Sequence, residues 1–136
     1  MISFDPEVLG KSLESITFLD FAYLFGSSVD GVVKESADLD VAVYVNEDHT
    51  LSAGDISAII GGIEDSVPGA AADLTMLNDA GVILRFEALK GKLLFVREEV
   101  LDMYSGFYSL TCREYEDAVY WMKKQLEYRG YSKAAR

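Results

Sequence analysis

The clearest pattern in the chain is an alternation. In residues 38–45, DLDVAVYV, the apolar Leu39, Val41, Val43 and Val45 fall at every second position. Side chains point alternately to the two faces of a strand, so these four share one face while Asp38, Asp40, Ala42 and Tyr44 share the other. Before it, Asp5-Pro6 offers a capping carboxylate followed by proline at the first helical position, and Val8, Leu9, Leu13 and Ile16 recur at helical spacing. That predicts a helix over 6–16. The aromatic run from Phe18 to Phe25 predicts a strand ending at Gly26, with a turn opening a brief helical segment that lasts to about Val33. Lys34-Glu35-Ser36-Ala37 reads as a polar connection.

Downstream, Asn46 to Thr50 is a polar loop. Ser52 with Asp55 forms the spacing of a capping box, and Ile56, Ile59, Ile60 and Ile63 mark a helix face. Pro68-Gly69 is a turn, and 72–77 (ADLTML) is a third strand with Asp73 and Thr75 on one face. Asn78 or Asp79 is expected to cap a helix that runs to Lys90 and stops at Gly91. Residues 93–96 make a short strand, and 97–127 a long helix with a bend or break at Gly106. Strands alternating with helices define an α/β class. The expected organisation is a core over 1–96 and a C-terminal helical extension over 97–136, within one domain.

Composition narrows the function. With 136 residues, half of them apolar, the chain has enough material for a core. No apolar run is long enough for a membrane span, and the N-terminus carries no export signal, so a cytoplasmic location is expected. One cysteine, Cys112, allows neither an internal disulfide nor a four-ligand zinc site and reads as a packing residue. His49, in the polar loop, reads as a solvated residue. The net charge is −11, which argues against holding nucleic acid by its phosphates. The charge is also divided: residues 1–80 carry two bases and 15 acids, whereas 81–136 carry ten bases and eight acids. An anionic substrate on the first part needs cations, brought with it or lent by the second part. The C-terminal region holds six of the eight tyrosines (Tyr104, Tyr108, Tyr115, Tyr120, Tyr128, Tyr131) and Trp121. They read first as helix packing and second as a partner surface.

The candidate chemistry lies in Gly26-Ser27, then Asp38-Leu39-Asp40, then Asp73 on a later strand. Two carboxylates two apart on a strand project from one face, roughly 6–7 Å from each other. Alone they repel and raise each other's pKa; a divalent cation removes that repulsion. Mg²⁺ suits one or two carboxylates plus substrate phosphate oxygens. A third carboxylate can complete a two-metal site or accept the proton of an attacking hydroxyl. Gly26 lets the backbone approach a phosphate, and the amides opening the next turn, with the Ser27 hydroxyl, can donate to it.

The stretch LFGSSVDGVVKESADLDVAVYV resembles the signature of the minimal nucleotidyltransferases of the DNA polymerase β-like superfamily. AADLTMLNDA is similar to that family's third-acid strand, and RFEALKGKLLF to its next Arg-bearing helix, glycine and short strand. The resemblance covers roughly residues 20–95. It implies a polymerase β-like fold, a small mixed sheet packed with helices. It implies Gly26, Ser27 and Arg85 as nucleotide-binding residues, and Asp38, Asp40 and Asp73 as catalytic residues and ligands of two Mg²⁺ ions, with ATP as substrate. Small members with a helical extension look most like the MntA-type antitoxins, which adenylylate a tyrosine of a HEPN-family RNase toxin and bind it. The implied partner is such a toxin; a homo-oligomer is left open. Val29 and Asp30 stand where the family usually has a small residue and a base, and Ala37 where a serine often precedes the first acid. Two alternatives follow. One is a non-catalytic antitoxin acting by direct binding; the other is a transferase acting on a small hydroxylated molecule such as an aminoglycoside.

Overall fold

A computed structural model of the chain describes residues 1–34 and 37–130. Glu35 and Ser36 of the polar connection, and Tyr131 among the C-terminal tyrosines, lie outside the described residues. The elements run β1 (Ile2–Ser3), α1 (Pro6–Glu14), β2 (Leu19–Phe25), a 3₁₀ turn (Gly26–Ser28), β3 (Val32–Val33), β4 (Leu39–Val45), α2 (Ala53–Ser66), β5 (Ala72–Met76), α3 (Val82–Leu89), β6 (Lys92–Val96), a second 3₁₀ turn (Glu98–Val100) and α4 (Leu101–Tyr128). Four strands form a mixed sheet in the order β5-β4-β2-β6. β2 is antiparallel to both neighbours, while β4 and β5 are parallel. This is a small mixed sheet packed with helices and followed by a C-terminal helix, as the resemblance implies.

Helices cover both faces, which is why β2 is buried along its whole length. On one face Leu39, Val41, Val43 and Val45 meet Leu9 and Leu13 of α1 and Ile59 and Ile63 of α2. On the other, Phe21, Tyr23, Phe25, Ala42 and Tyr44 meet Ala88 and Leu89 of α3 and Met103, Tyr104 and Phe107 of α4. Burying a side chain of this size contributes about 1.5–3 kcal/mol. The alternation read in β4 therefore sorts its residues between two cores, not between core and water. A register irregularity between Leu19 and Phe21 returns Leu19 to the face of Ala22 and Leu24. It leaves Asp20 buried, with Oδ1 accepting from Asn46 Nδ2 at 3.3 Å. Burial pushes that carboxyl above its ordinary range.

Local chemistry sets the ends. Asp5 accepts from the Glu7 amide, with Pro6 next to it, and Ser52 and Asp55 form a reciprocal capping box at α2. Arg97 fastens α1 to the sheet: its guanidinium donates to the carbonyls of Glu14 at 2.6 Å, Ile16 at 2.9 Å and Leu19 at 2.6 Å. These include acceptors at and just beyond the helix end that α1 cannot satisfy itself.

Four expectations are corrected. The brief helical segment after Gly26 ends at Ser28, and Val32–Val33 instead pair with Ile2–Ser3 as a small antiparallel ladder. Neither Asn78 nor Asp79 caps α3; its N-cap is Gly81. Asn78 instead mimics a strand residue, accepting from the Val45 amide at 2.9 Å and donating to the Val45 carbonyl at 2.8 Å. α4 passes through Gly106 without a break. His49 is not a free solvated residue: its ring stacks on Phe18 at 4.2 Å and Nε2 pairs with Asp55 Oδ2 at 2.8 Å.

Candidate active site

The sheet brings the sequence motifs to one edge. β2 runs into Gly26 just where β4 begins, because the two strands are antiparallel and Phe25 lies opposite Asp40. β5 starts at the same edge, and parallel pairing sets Asp40 opposite Asp73. Both belong to the face that also carries Tyr23, Phe25 and Ala42, which α3 and α4 cover further along the sheet. Asp40 is partly buried; Asp38 and Asp73 are exposed. The Asp40 carboxyl is held above its ordinary pKa, first by desolvation, then by the Asp73 charge and a hydrogen bond between the two carboxyls, and last by Asp38. The edge thus concentrates negative charge, and among the described residues no salt bridge reaches Asp38, Asp40 or Asp73.

Gly26 serves this arrangement in a way spacing could not show. Its φ is +76°, a region open to glycine at little cost. A Cβ built there would overlap the Asp40 carboxylate. The turn and the acid can therefore approach each other only with glycine at this position. Of the two serines that follow, Ser27 is exposed, whereas Ser28 is fully buried and its hydroxyl has no hydrogen-bond partner among the described residues. Ser28 was not among the sequence candidates; nothing in its spacing marks it as the one beneath the turn. Asp30, at the position where a base was expected, turns back on its own loop and accepts from the Val32 amide at 3.2 Å.

Arg85 is not brought to this edge. It sits in the first turn of α3, donates to Glu114 Oε1 at 2.7 Å and lies over the Phe107 ring. The base nearest in register is Lys92, which opens β6 opposite Leu24 and is exposed. Gly91 makes room for that strand, because a Cβ there would overlap the Leu24 carbonyl and crowd Phe25.

Among the described residues, no three or more His, Cys, Asp or Glu side chains gather closely enough to hold a metal ion by themselves. The Asp40–Asp73 pair still suits Mg²⁺, which asks for one or two carboxylates and takes its other ligands from phosphates and water. A cleft of about 390 Å³ borders Asp38, lined also by Val33, Lys34 and Ala70. Another of about 380 Å³ is bordered by Tyr44, Asn46, His49, Met76 and Asn78, near the ends of β4 and β5 remote from Asp40 and Asp73. It contains none of the aspartate triad.

Residues 7–100 match the family described as polymerase beta, nucleotidyltransferase. The chain belongs to the polymerase beta nucleotidyltransferase family. The matched range includes Gly26, Asp38, Asp40 and Asp73. No curated protein matches the sequence. Solved structures do match in fold. A toxin–antitoxin crystallised with AMP-PNP shares 20% identity at a TM-score of 0.67, covering 91% of this chain and 97% of that one. A toxin–antitoxin MntA-HpeT mutant shares 18% at 0.67 with the same coverage. A tri-AMPylated Shewanella oneidensis HEPN toxin in complex with MNT antitoxin shares 17% at 0.61, covering 90% and 97%. No helix among the described residues is long and apolar enough to cross a membrane.

Proposed function

We propose that this nucleotidyltransferase is the antitoxin of a toxin–antitoxin pair and transfers AMP from ATP to a tyrosine hydroxyl of a HEPN-family toxin in the cytoplasm. The observation that carries the reading is Asp40 facing Asp73 beside the Gly26–Ser28 turn. The similarity to structures described as holding AMP-PNP and an AMPylated HEPN toxin supports the nucleotide and the partner.

In the proposed reaction the acceptor oxygen bonds to the α-phosphorus of ATP, the bond from that phosphorus to the bridging oxygen breaks, and pyrophosphate leaves. The backbone of Gly26–Ser28 and the Ser27 hydroxyl bind phosphate oxygens. Asp40 and Asp73 would hold Mg²⁺, which would neutralise the triphosphate and the transition-state charge; Asp38, expected from the sequence as a third ligand, does not gather with them closely enough to complete the set among the described residues. In this reading Asp73, exposed at the edge, takes the proton of the attacking hydroxyl. Lys92, exposed opposite Leu24 at the same end of the sheet, supplies positive charge to the triphosphate. Tyr120, Trp121 and Tyr128, all exposed on α4, offer the aromatic side chains that protein interfaces favour.

The test combines the chain, labelled ATP, Mg²⁺ and a HEPN toxin encoded beside it, with mass spectrometry of the toxin. AMP on a toxin tyrosine, lost in Asp40→Asn, is the expected result. Stoichiometric inhibition of the toxin without ATP, and no AMP on any residue, would replace this reading with neutralisation by binding alone. The engagement of Arg85 by Glu114 is the observation that favours that second reading.

A further inference from the structure

Ser28 is the buried member of an exposed loop. Gly26, Ser27, Val29 and Asp30 are all exposed, and Ser28 among them is fully buried. Its carbonyl is engaged, accepting from the Gly31 amide at 3.0 Å. Its hydroxyl is not: the oxygen is shut off from solvent and has no hydrogen-bond partner among the described residues. A serine hydroxyl brings one donor and two acceptor sites. Buried and unpaired, it destabilises the fold. Alanine would fill the same place beneath the turn, which packs against β3 and β4, without that penalty. Packing therefore explains a small residue at position 28 and leaves the hydroxyl without a role.

The place of the hydroxyl supplies one. The loop is fastened at its two ends. At one, Gly26 stands against the Asp40 carboxylate; at the other, the Gly31 carbonyl accepts from the Phe4 amide at 2.9 Å. Of the residues between, among the described residues, only Asp30 uses its side chain in a hydrogen bond, to the Val32 amide at 3.2 Å. In a planar trans peptide the N–H and the C=O point in opposite directions. Amides of this turn that swing outward to a phosphate oxygen therefore swing carbonyls inward, toward the side on which the Ser28 hydroxyl lies. We infer that Ser28 is a positioning residue for the nucleotide: its hydroxyl gains a backbone carbonyl to donate to only when the turn closes on a triphosphate, and so holds the turn in that form. The inference rests on the nucleotide reading proposed above. A group unpaired in the free chain and paired in the complex favours binding through the bond gained and through the penalty relieved.

Thermal melts of the full chain with and without AMP-PNP and Mg²⁺, beside a titration with AMP-PNP, test it. Ser28→Ala is expected to melt higher than the wild type when nucleotide is absent, because the unpaired hydroxyl is gone. It is expected to bind AMP-PNP about ten-fold more weakly, so the nucleotide raises its melting temperature by less. Ser28→Cys, which keeps a side chain there but is a weak donor, should follow Ser28→Ala in affinity. Ser27→Ala, at the exposed serine, should weaken binding without raising the melting temperature of the free chain. Equal affinities for Ser28→Ala and the wild type overturn the inference. So does a Ser28→Ala chain that melts lower than the wild type without nucleotide, since the hydroxyl is then already bonded in the free chain. A wild type that binds no AMP-PNP overturns the nucleotide reading itself, and the role of Ser28 with it.

Discussion

Asp40 of β4 and Asp73 of β5 face each other in parallel register, and desolvation first, then the Asp73 charge, hold the Asp40 carboxyl above its ordinary pKa. The folded-state pKa of Asp40 is raised, so the folded chain holds a proton that the unfolded chain gives up earlier. Stability is therefore lost, not gained, as pH rises from the ordinary carboxylate range through the raised value. Asp40→Asn should increase the melting temperature at neutral pH and flatten its decline with pH, while transfer falls by about 10²–10⁴-fold. Mg²⁺ should stabilise the wild type and have a much smaller effect on Asp40→Asn; chelation should reverse the gain. Thermal melts with and without Mg²⁺, beside an AMP-transfer assay, check all three. A variant both stabilised and fully active would remove Asp40 from the chemistry.

Gly26 carries two constraints at once, a φ of +76° and contact with the Asp40 carboxylate. Gly26→Ala should cost about 1–3 kcal/mol through backbone strain and displaced packing. It should also reduce transfer more than any loss of folded protein explains, because Asp40 must move to admit the methyl group. Urea denaturation and initial rates, measured on the same preparation, separate the two effects. An active and equally stable Gly26→Ala chain would mean that the turn relaxes without involving Asp40.

The alternation of β4 and the spacing of Gly26, Asp38, Asp40 and Asp73 were readable because strand geometry is local: two residues apart means one face. The pairing of Asp40 with Asp73 is set by a register 33 residues long-range, and only the parallel β4–β5 ladder reveals it. Contacts of that kind explain the errors as well. Val32–Val33 read as a helical continuation because their partners, Ile2–Ser3, are distant in sequence. Asn78 has the chemistry of a helix cap, but the Val45 backbone claims both ends of its amide. Gly106 disfavours a helix by propensity alone, yet neighbours such as Phe107 are held against Phe21 and Tyr44, and packing overrides the local cost. The pairing of Arg85 with Glu114, 29 residues later, is equally invisible to a local reading.

Asp55 ties the α2 cap to the polar loop, accepting from the Ser52 amide at 2.9 Å and pairing with His49 at 2.8 Å. The Ser52 amide, first, and then His49 hold its pKa below the ordinary carboxylate range. A lowered folded-state pKa gives stability that is present above the unfolded value and lost as pH falls through the folded one. Asp55→Ala should therefore reduce stability at neutral pH and shallow the acid limb of the unfolding curve. Denaturant midpoints collected from neutral to acid pH check this. Parallel acid limbs in the two proteins would show that the cap does not depend on the ionised carboxylate.

Lys92 and Arg85 make opposite predictions for ATP. Lys92 opens β6 opposite Leu24, two residues before Gly26, and is exposed. A rim base of this kind is worth a fraction of a kcal/mol up to about 1 kcal/mol, so Lys92→Ala should raise KM for ATP by about two- to five-fold with little change in kcat. The effect should shrink as salt screens it. Arg85 is held by Glu114 and by the Phe107 ring, with its Nε buried. Arg85→Ala removes that seam between α3 and α4, so its cost should appear as a lower melting temperature, with KM for ATP nearly unchanged. If Arg85→Ala instead raises KM and leaves stability intact, the guanidinium must leave Glu114 when nucleotide binds, and the base expected from the sequence is the one that meets the phosphates.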